Sequence, residues 1–65
     1  METEVLRSRI AALQLEHRDL DQIIARLGSE PVHDELQIRR LKKRKLQVKD
    51  QIMLLRIQLI PDIPA

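Results

Sequence analysis

The chain has 65 residues, with 12 Lys and Arg against 10 Asp and Glu and a net charge of +2. It has no cysteine, which excludes disulfides and thiolate metal sites, and no aromatic residue, which excludes stacking of nucleic-acid bases on aromatic rings. The longest apolar run, Ile52 to Leu55, is far shorter than the ~20 residues that a membrane helix needs, so we expect no membrane association. A domain this small is marginally stable alone. Without disulfides or a thiolate metal site, oligomerisation is the remaining way for it to gain stability.

Apolar residues recur along both halves of the chain in alternating steps of four and three, which is the spacing of a coiled-coil seam. Laid antiparallel, the two seams form seven facing pairs in one register, from Leu27 with Ile38 to Leu6 with Leu59. The spacing therefore predicts an all-α fold, an antiparallel two-helix hairpin of coiled-coil type. Two parallel helices from separate chains are the alternative, which the turn residues between the seams disfavour. The seams are Leu6, Ile10, Leu13, His17, Leu20, Ile24 and Leu27, then Ile38, Leu41, Lys45, Val48, Ile52, Leu55 and Leu59.

Capping residues predict the bounds of a single domain over residues 1–60. Helix one is expected at about 3–27, with Thr3 as its cap and Gly28 as a left-handed terminator. A turn follows at 28–33, and helix two is expected at about 34–60, capped by Asp34 with Gln37 three residues later. An earlier start at Ser29 is the alternative. Pro61 ends the second helix, and residues 61–65 are expected to form an extended tail.

Helix two carries apolar residues that the seam does not use. They cluster on one flank, which we call the outer flank: Leu46, Met53, Ile57 and Ile60. An isolated hairpin would expose these side chains, and such a patch on a small domain indicates an interface. The flank predicts a homo-oligomer, a dimer or larger, and two hairpins paired into a four-helix bundle are the simplest closed assembly.

Two polar residues, His17 and Lys45, interrupt the seams in neighbouring layers, and Asp21 lies one turn beyond His17. Lys42 is the expected neighbour of Asp21 across the helices. A buried proton-handling site is one interpretation. We favour a polar layer that fixes the register, with the ammonium of Lys45 reaching out to Asp21. One His and one Asp are too few ligands for a metal, and His33 is far away in the turn, so we expect no metal site.

The densest charge run covers residues 39–45, where six of seven residues are basic. The predicted basic surface consists of Arg39, Arg40, Lys42, Lys43, Arg44 and Lys49. Contact with nucleic-acid phosphates is one interpretation of the run. A solvated face balanced by the helix-one carboxylates Glu16, Asp19 and Asp21 is the other, which we favour because the net charge is modest.

Two segments resemble the bacterial YdcH-like family, a set of very short proteins classed as a domain of unknown function. They are His17-Arg18-Asp19-Leu20-Asp21, followed by Ile24, and the segment from Leu41 to Asp50, followed by Ile52. Val48 stands where leucine is more usual in that pattern. The resemblance implies a helical hairpin in a bacterial cytoplasm and supplies no biochemical activity. It places the family's motif residues at His17, Asp21, Lys42, Lys45, Lys49 and Asp50.

The chemistry needed for catalysis is sparse, because there is no cysteine nucleophile and no Gly-rich phosphate loop. We therefore expect no enzyme, no catalytic residues and no cofactor. The sequence favours a cytoplasmic, non-enzymatic helical module that self-associates and presents a charged surface to a protein or other macromolecular partner. A basic accessory protein that binds nucleic acid is the alternative.

Overall fold

The computed structural model describes residues 2–59, which form two helices joined by a short turn. Helix α1 spans Thr3–Gly28 and helix α2 spans Glu35–Leu59. They lie side by side in a body of 49 × 24 × 14 Å. The shortest dimension is close to the ~10–12 Å diameter of one helix, so the hairpin is a single layer of two helices. The all-α hairpin predicted from the spacing is confirmed.

The predicted seam is the interface between the helices. All fourteen seam positions are buried or half-buried, whereas the other described residues are exposed, apart from Glu16 and His33. The core is built around Val48, which is completely buried. It packs in one cluster with Ile10, Leu20 and Ile52, and four partly buried seam residues close this cluster: Leu13, Leu41, Leu55 and Leu59. Seam spacing thus places every large buried side chain of the described chain on one line along each helix.

The two ends of α1 differ from the prediction. Thr3 is the first helical residue and not the cap, because Glu2 occupies the capping position with an extended backbone and without a side-chain hydrogen bond to the helix. Gly28 is not a left-handed terminator, since no glycine among the described residues has a positive φ. Ser29 ends the helix instead, with φ −85° and ψ −9°, in the right-handed region.

Ser29 explains why a left-handed residue is not needed at this helix end. Its backbone N–H donates to the carbonyls of Ala25 at 3.2 Å and Arg26 at 3.3 Å, and its hydroxyl donates to Arg26 at 2.8 Å. The N–H of Glu30 reaches the carbonyl of Leu27 at 3.3 Å. Carbonyls that a left-handed cap would otherwise satisfy already have donors.

Asp34 caps α2, as predicted. Its Oδ1 accepts hydrogen bonds from the backbone N–H groups of Leu36 at 2.9 Å and Gln37 at 3.2 Å. Within the turn, His33 Nδ1 lies 3.1 Å from the carbonyl oxygen of Glu30, and its Nε2 lies 3.5 Å from Glu35. Ile60 and the tail predicted at 61–65 fall outside the described residues.

Candidate functional site

The polar layer lies at the middle of the hairpin, on one side of the seam. The ammonium of Lys45 donates a hydrogen bond to Asp21 Oδ1 at 2.7 Å, which is the contact expected of a register-setting layer. Lys42, the expected neighbour of Asp21, forms no ion pair with a described residue. His17 is half-buried beside them. The layer therefore joins a lysine of α2 to a carboxylate of α1 across the seam.

The pair is not a buried site. The side chain of Asp21 is 63% exposed and that of Lys45 is 34% exposed, and no charged residue is fully buried in the described chain. The hydrogen bond from Lys45 lowers the pKa of Asp21, and the positive charge of Lys45 acts in the same direction. A carboxylate that is exposed and held in its ionised form is a poor general acid or base at neutral pH. Its geometry fits register fixing better than proton handling.

The basic run divides into paired and unpaired residues. Arg44 donates to both carboxylate oxygens of Glu16, at 2.6 Å and 3.1 Å, and Lys45 is held by Asp21. The hydrogen bond between Arg44 and Glu16 lowers the pKa of Glu16 and raises that of Arg44. Asp19, the third carboxylate expected to balance the run, forms no ion pair with a described residue. Of the predicted basic surface, Arg39, Arg40, Lys42, Lys43 and Lys49 are exposed and form no ion pair with a described residue.

A groove runs between the helices on the side of the polar layer, and we call it the basic groove. Helix α1 lines it with Gln14, His17 and Asp21, and α2 lines it with Lys45, Lys49, Ile52, Met53 and Arg56. Lys49 and Arg56 form no ion pair with a described residue. Asp21, which is the only carboxylate among the described residues of the lining, is already bound by Lys45.

The basic groove includes a residue that the sequence analysis did not select. Arg56 follows Lys49 by seven residues, as Lys49 follows Lys42, so the three share one face of α2. We call Lys42, Lys49 and Arg56 the cation row. The row starts at Lys42, since the position seven residues earlier is Glu35. Seven-residue spacing was the signal that could have found Arg56, which lies outside the dense run of residues 39–45.

The opposite side of the seam has a different character. A second, smaller groove there is lined on α2 by Gln51 and Gln58, with Leu54 and Leu55 beside them. Helix α1 contributes Leu13 and Arg9, and Arg9 forms no ion pair with a described residue. Gln51 and Gln58 follow Arg44 at seven-residue steps, and Arg44 is neutralised by Glu16. The unpaired positive charge next to the seam of α2 is thus on the side of the basic groove.

The outer flank is exposed wherever the structure describes it. Leu46 is 60% exposed, Met53 54% and Ile57 53%, while Ile60 lies outside the described residues. Several exposed apolar residues were not selected from the sequence: Leu15, Val32, Leu36 and Leu54. Leu36 lies on the same line of α2, since positions 36, 39, 43, 46, 50, 53 and 57 repeat the four-three spacing on its outside, but three of these positions are charged: Arg39, Lys43 and Asp50.

Residues 2–59 contain no group of three or more His, Cys, Asp or Glu side chains placed to hold a metal ion. Neither described helix has a stretch long and apolar enough to cross a membrane.

Comparison with known families identifies the chain. The sequence profile of a family described as "Protein of unknown function (DUF465)" matches residues 10–56. The chain belongs to this family. The matched range holds the polar layer, the charge run and the whole cation row, and it is consistent with the YdcH-like resemblance. No curated protein matches the chain, and no solved structure matches it.

Proposed function

We propose that this protein is a small, non-enzymatic helical interaction module that self-associates and presents a charged surface to a macromolecular partner in a bacterial cytoplasm. The observation that carries the proposal is the exposed outer flank of α2. The resemblance to the YdcH-like family supports the proposed location in a bacterial cytoplasm.

Self-association is supported by the size of the core and by the spacing of the flank. A hairpin in one layer gives each helix one partner, and only five apolar side chains of the described residues are buried. The exposed residues Leu46, Met53 and Ile57 lie on one side of α2 at seam spacing, with Asp50 between the first two, so a further helix can pack on this part of α2. Two hairpins related by a two-fold axis would bury this flank against its own copy.

The absence of enzymatic activity is proposed from the character of the grooves and their carboxylates. The basic groove is an open channel along two helices, whereas enzyme sites enclose most of a small ligand. The carboxylates next to the seam, Glu16 and Asp21, are held in the ionised form by cations, which lowers their pKa values. This environment suits structural ion pairs rather than proton transfer.

Sedimentation at micromolar protein concentration tests self-association. We expect a dimer or larger assembly, and the double variant Met53→Glu with Ile57→Glu should dissociate it and lower the melting temperature, because four carboxylates would be buried in each dimer. The matched control replaces two exposed apolar residues of α1, Val5→Glu with Leu15→Glu, which adds the same charge away from the flank.

Two results would contradict self-association through the flank. One is a folded monomer over the whole concentration range. The other is equal dissociation by both double variants, since this would show that added negative charge alone, and not its position, weakens the assembly. Capture of partners from native cells with tagged protein, with and without nuclease, tests the second half of the proposal, because a protein partner survives nuclease treatment.

Nucleic-acid binding is the second candidate, and one observation favours it. Arg39, Arg40, Lys42 and Lys43 are exposed and free of ion pairs with described residues. Against this, Arg44 and Lys45 are bound by carboxylates of α1, which leaves the run with less effective charge. Each phosphate contact would add about −0.9 to the slope of log affinity against log salt. We therefore expect weak binding to duplex DNA that disappears at ~150 mM salt. Tight binding at that salt, lost on charge reversal at Lys42 and Lys43, would instead establish the second candidate.

A further inference from the structure

We propose that the basic groove is a docking surface for an acidic amphipathic helix of another protein. This inference rests on the proposed interaction function and names the chemistry of the partner. The cation row supplies the charge, Met53 supplies an apolar contact, and the groove between α1 and α2 supplies the shape. Three separate properties of the surface favour such a partner: its unbalanced charge, its spacing and its apolar border.

The charge of the groove is not balanced within the hairpin. Lys49 and Arg56 line it without an ion pair in the described residues, and Lys42 continues their row. Asp21 is the one carboxylate that residues 2–59 contribute to the lining, and it is bound to Lys45 at 2.7 Å. A partner that approaches this side therefore meets uncompensated positive charge and needs negative charge to complement it.

The spacing of the row matches a helix. Its members are seven residues apart, which places them about 10.5 Å from one another along the axis of α2. A partner helix that runs beside α2 and carries Asp or Glu at every seventh position presents carboxylates at the same interval. Duplex DNA instead carries one negative charge for each ~1.7 Å of its axis, so three cations this far apart leave most of the facing phosphates without a partner.

The border of the row is apolar. Met53 lines the groove with more than half of its surface exposed, and Leu46 is exposed one heptad earlier on the same face. An amphipathic helix can place its apolar residues on Met53 and Leu46 while its carboxylates reach the row. A phosphate backbone has no apolar surface to bury there, so the mixture of cations and aliphatic side chains favours a protein partner over nucleic acid.

Met53 and Leu46 also belong to the outer flank, which has a consequence for assembly. A second copy of the chain and an acidic helix would cover the same side chains, so the two compete. Binding of the acidic helix is therefore measured at protein concentrations below those at which self-association is seen.

The test uses a designed helical peptide with Glu at every seventh position and Leu beside each Glu. A comparison peptide has the same composition and helicity, with its Glu residues moved to the opposite face. We expect the first peptide to bind at least about tenfold more tightly at ~150 mM salt, because only its carboxylates and leucines face the groove together. Equal binding of both peptides, or binding of neither, would overturn the proposal, as would tighter binding of a DNA duplex at the same salt.

Variants of the protein locate the site. Lys49→Glu should weaken binding of the first peptide about tenfold, whereas Lys43→Glu, an exposed lysine on the same helix outside the groove, should change it less than about twofold. Lys49→Arg should bind like the original chain, which separates loss of charge from loss of fold. Equal weakening by Lys49→Glu and Lys43→Glu would refute the groove. Neither substitution replaces an apolar side chain of the outer flank, although position 43 lies on the line of that flank. Sedimentation of both variants measures self-association separately, so the proposed function can survive failure of this inference.

Discussion

Replacement of Gly28 by alanine distinguishes two ways in which α1 can end. In the structure Gly28 is the last helical residue, with a right-handed backbone, and a Cβ added there meets no atom within 4 Å. Alanine can adopt this conformation without strain and restricts the unfolded chain more than glycine does. We therefore expect Gly28→Ala to stabilise the protein. A left-handed terminator at Gly28 would give the opposite sign, because alanine is disfavoured there.

The size of the effect follows from the position of Gly28. An exposed, strain-free Gly→Ala change adds roughly 0.4–1 kcal/mol to the free energy of unfolding. In a chain of this length, 1 kcal/mol moves the melting temperature by about 4–8 °C, so the expected rise is roughly 2–8 °C. The added methyl group faces open space, so it neither makes a packing contact nor fills a cavity, and neither effect adds to the change in the free energy of unfolding.

Thermal and urea unfolding followed by circular dichroism measure the change. Both chains are compared at one protein concentration, because coupled assembly makes the melting temperature concentration-dependent. Ala25→Gly, an exposed position one turn earlier in α1, is the matched reverse change and should lower stability by a similar amount. A loss of stability in Gly28→Ala would refute the right-handed helix end and restore the terminator predicted from the sequence.

Three further predictions follow from the seam and its ion pairs. Val48→Ala removes two methyl groups from a completely buried side chain and should lower the free energy of unfolding by about 1–3 kcal/mol. Val5→Ala is the same change at a side chain that is 49% exposed, and it should lower the free energy of unfolding little. Equal losses of stability would contradict the assigned core. Cysteines placed at Leu13 and Ile52, which pack in one cluster, should cross-link within one chain at low concentration, and only intermolecular products would argue against the hairpin. Stability should fall in acid, because the cations beside Glu16 and Asp21 lower the pKa values of these two carboxyl groups in the folded state. The two ion pairs therefore contribute to the free energy of unfolding above the ordinary carboxyl pKa range, and this contribution is lost as the pH falls through the lowered pKa values. Glu16→Gln with Asp21→Asn should flatten this pH dependence, and an unchanged pH profile would show that the two pairs do not contribute.

The fold was predictable because it depends on a local repeat. Seam spacing decides which face of each helix is apolar, and one turn of fixed length decides how the faces meet. Asp34 was recognised as a cap for the same reason, since its acceptor and the donors of Leu36 and Gln37 lie within one turn. Gly28 was assigned wrongly because Ser29 supplies a competing way to satisfy the helix end, and both choices fit the same residues.

The sequence offered two lysines as neighbours of Asp21, Lys45 of the polar layer and Lys42 across the helices, and the structure pairs Asp21 with Lys45. Seam spacing alone does not decide between them, because the choice depends on where each ammonium ends relative to the seam. Lys45 starts from a seam position and its stem follows the interface, so its ammonium emerges beside Asp21. Periodicity gives the position of a Cα on a face, whereas a contact between long side chains also depends on rotamers and on small offsets between helices.

Packing alone does not explain the difference between the two sides of the seam. The hairpin needs its apolar stripes, and either flank of α2 could carry neutral amides, as Gln51 and Gln58 do on one side. On the other side, Lys42, Lys49 and Arg56 stand about 10.5 Å apart, slightly more than the ~8 Å Debye length at physiological salt, so their mutual repulsion costs little. They gain no carboxylate from α1 in return, because Asp21 is bound to Lys45. The cation row costs the fold little and forms no ion pair within the described hairpin. An acidic partner would therefore gain most binding free energy on this side of the molecule.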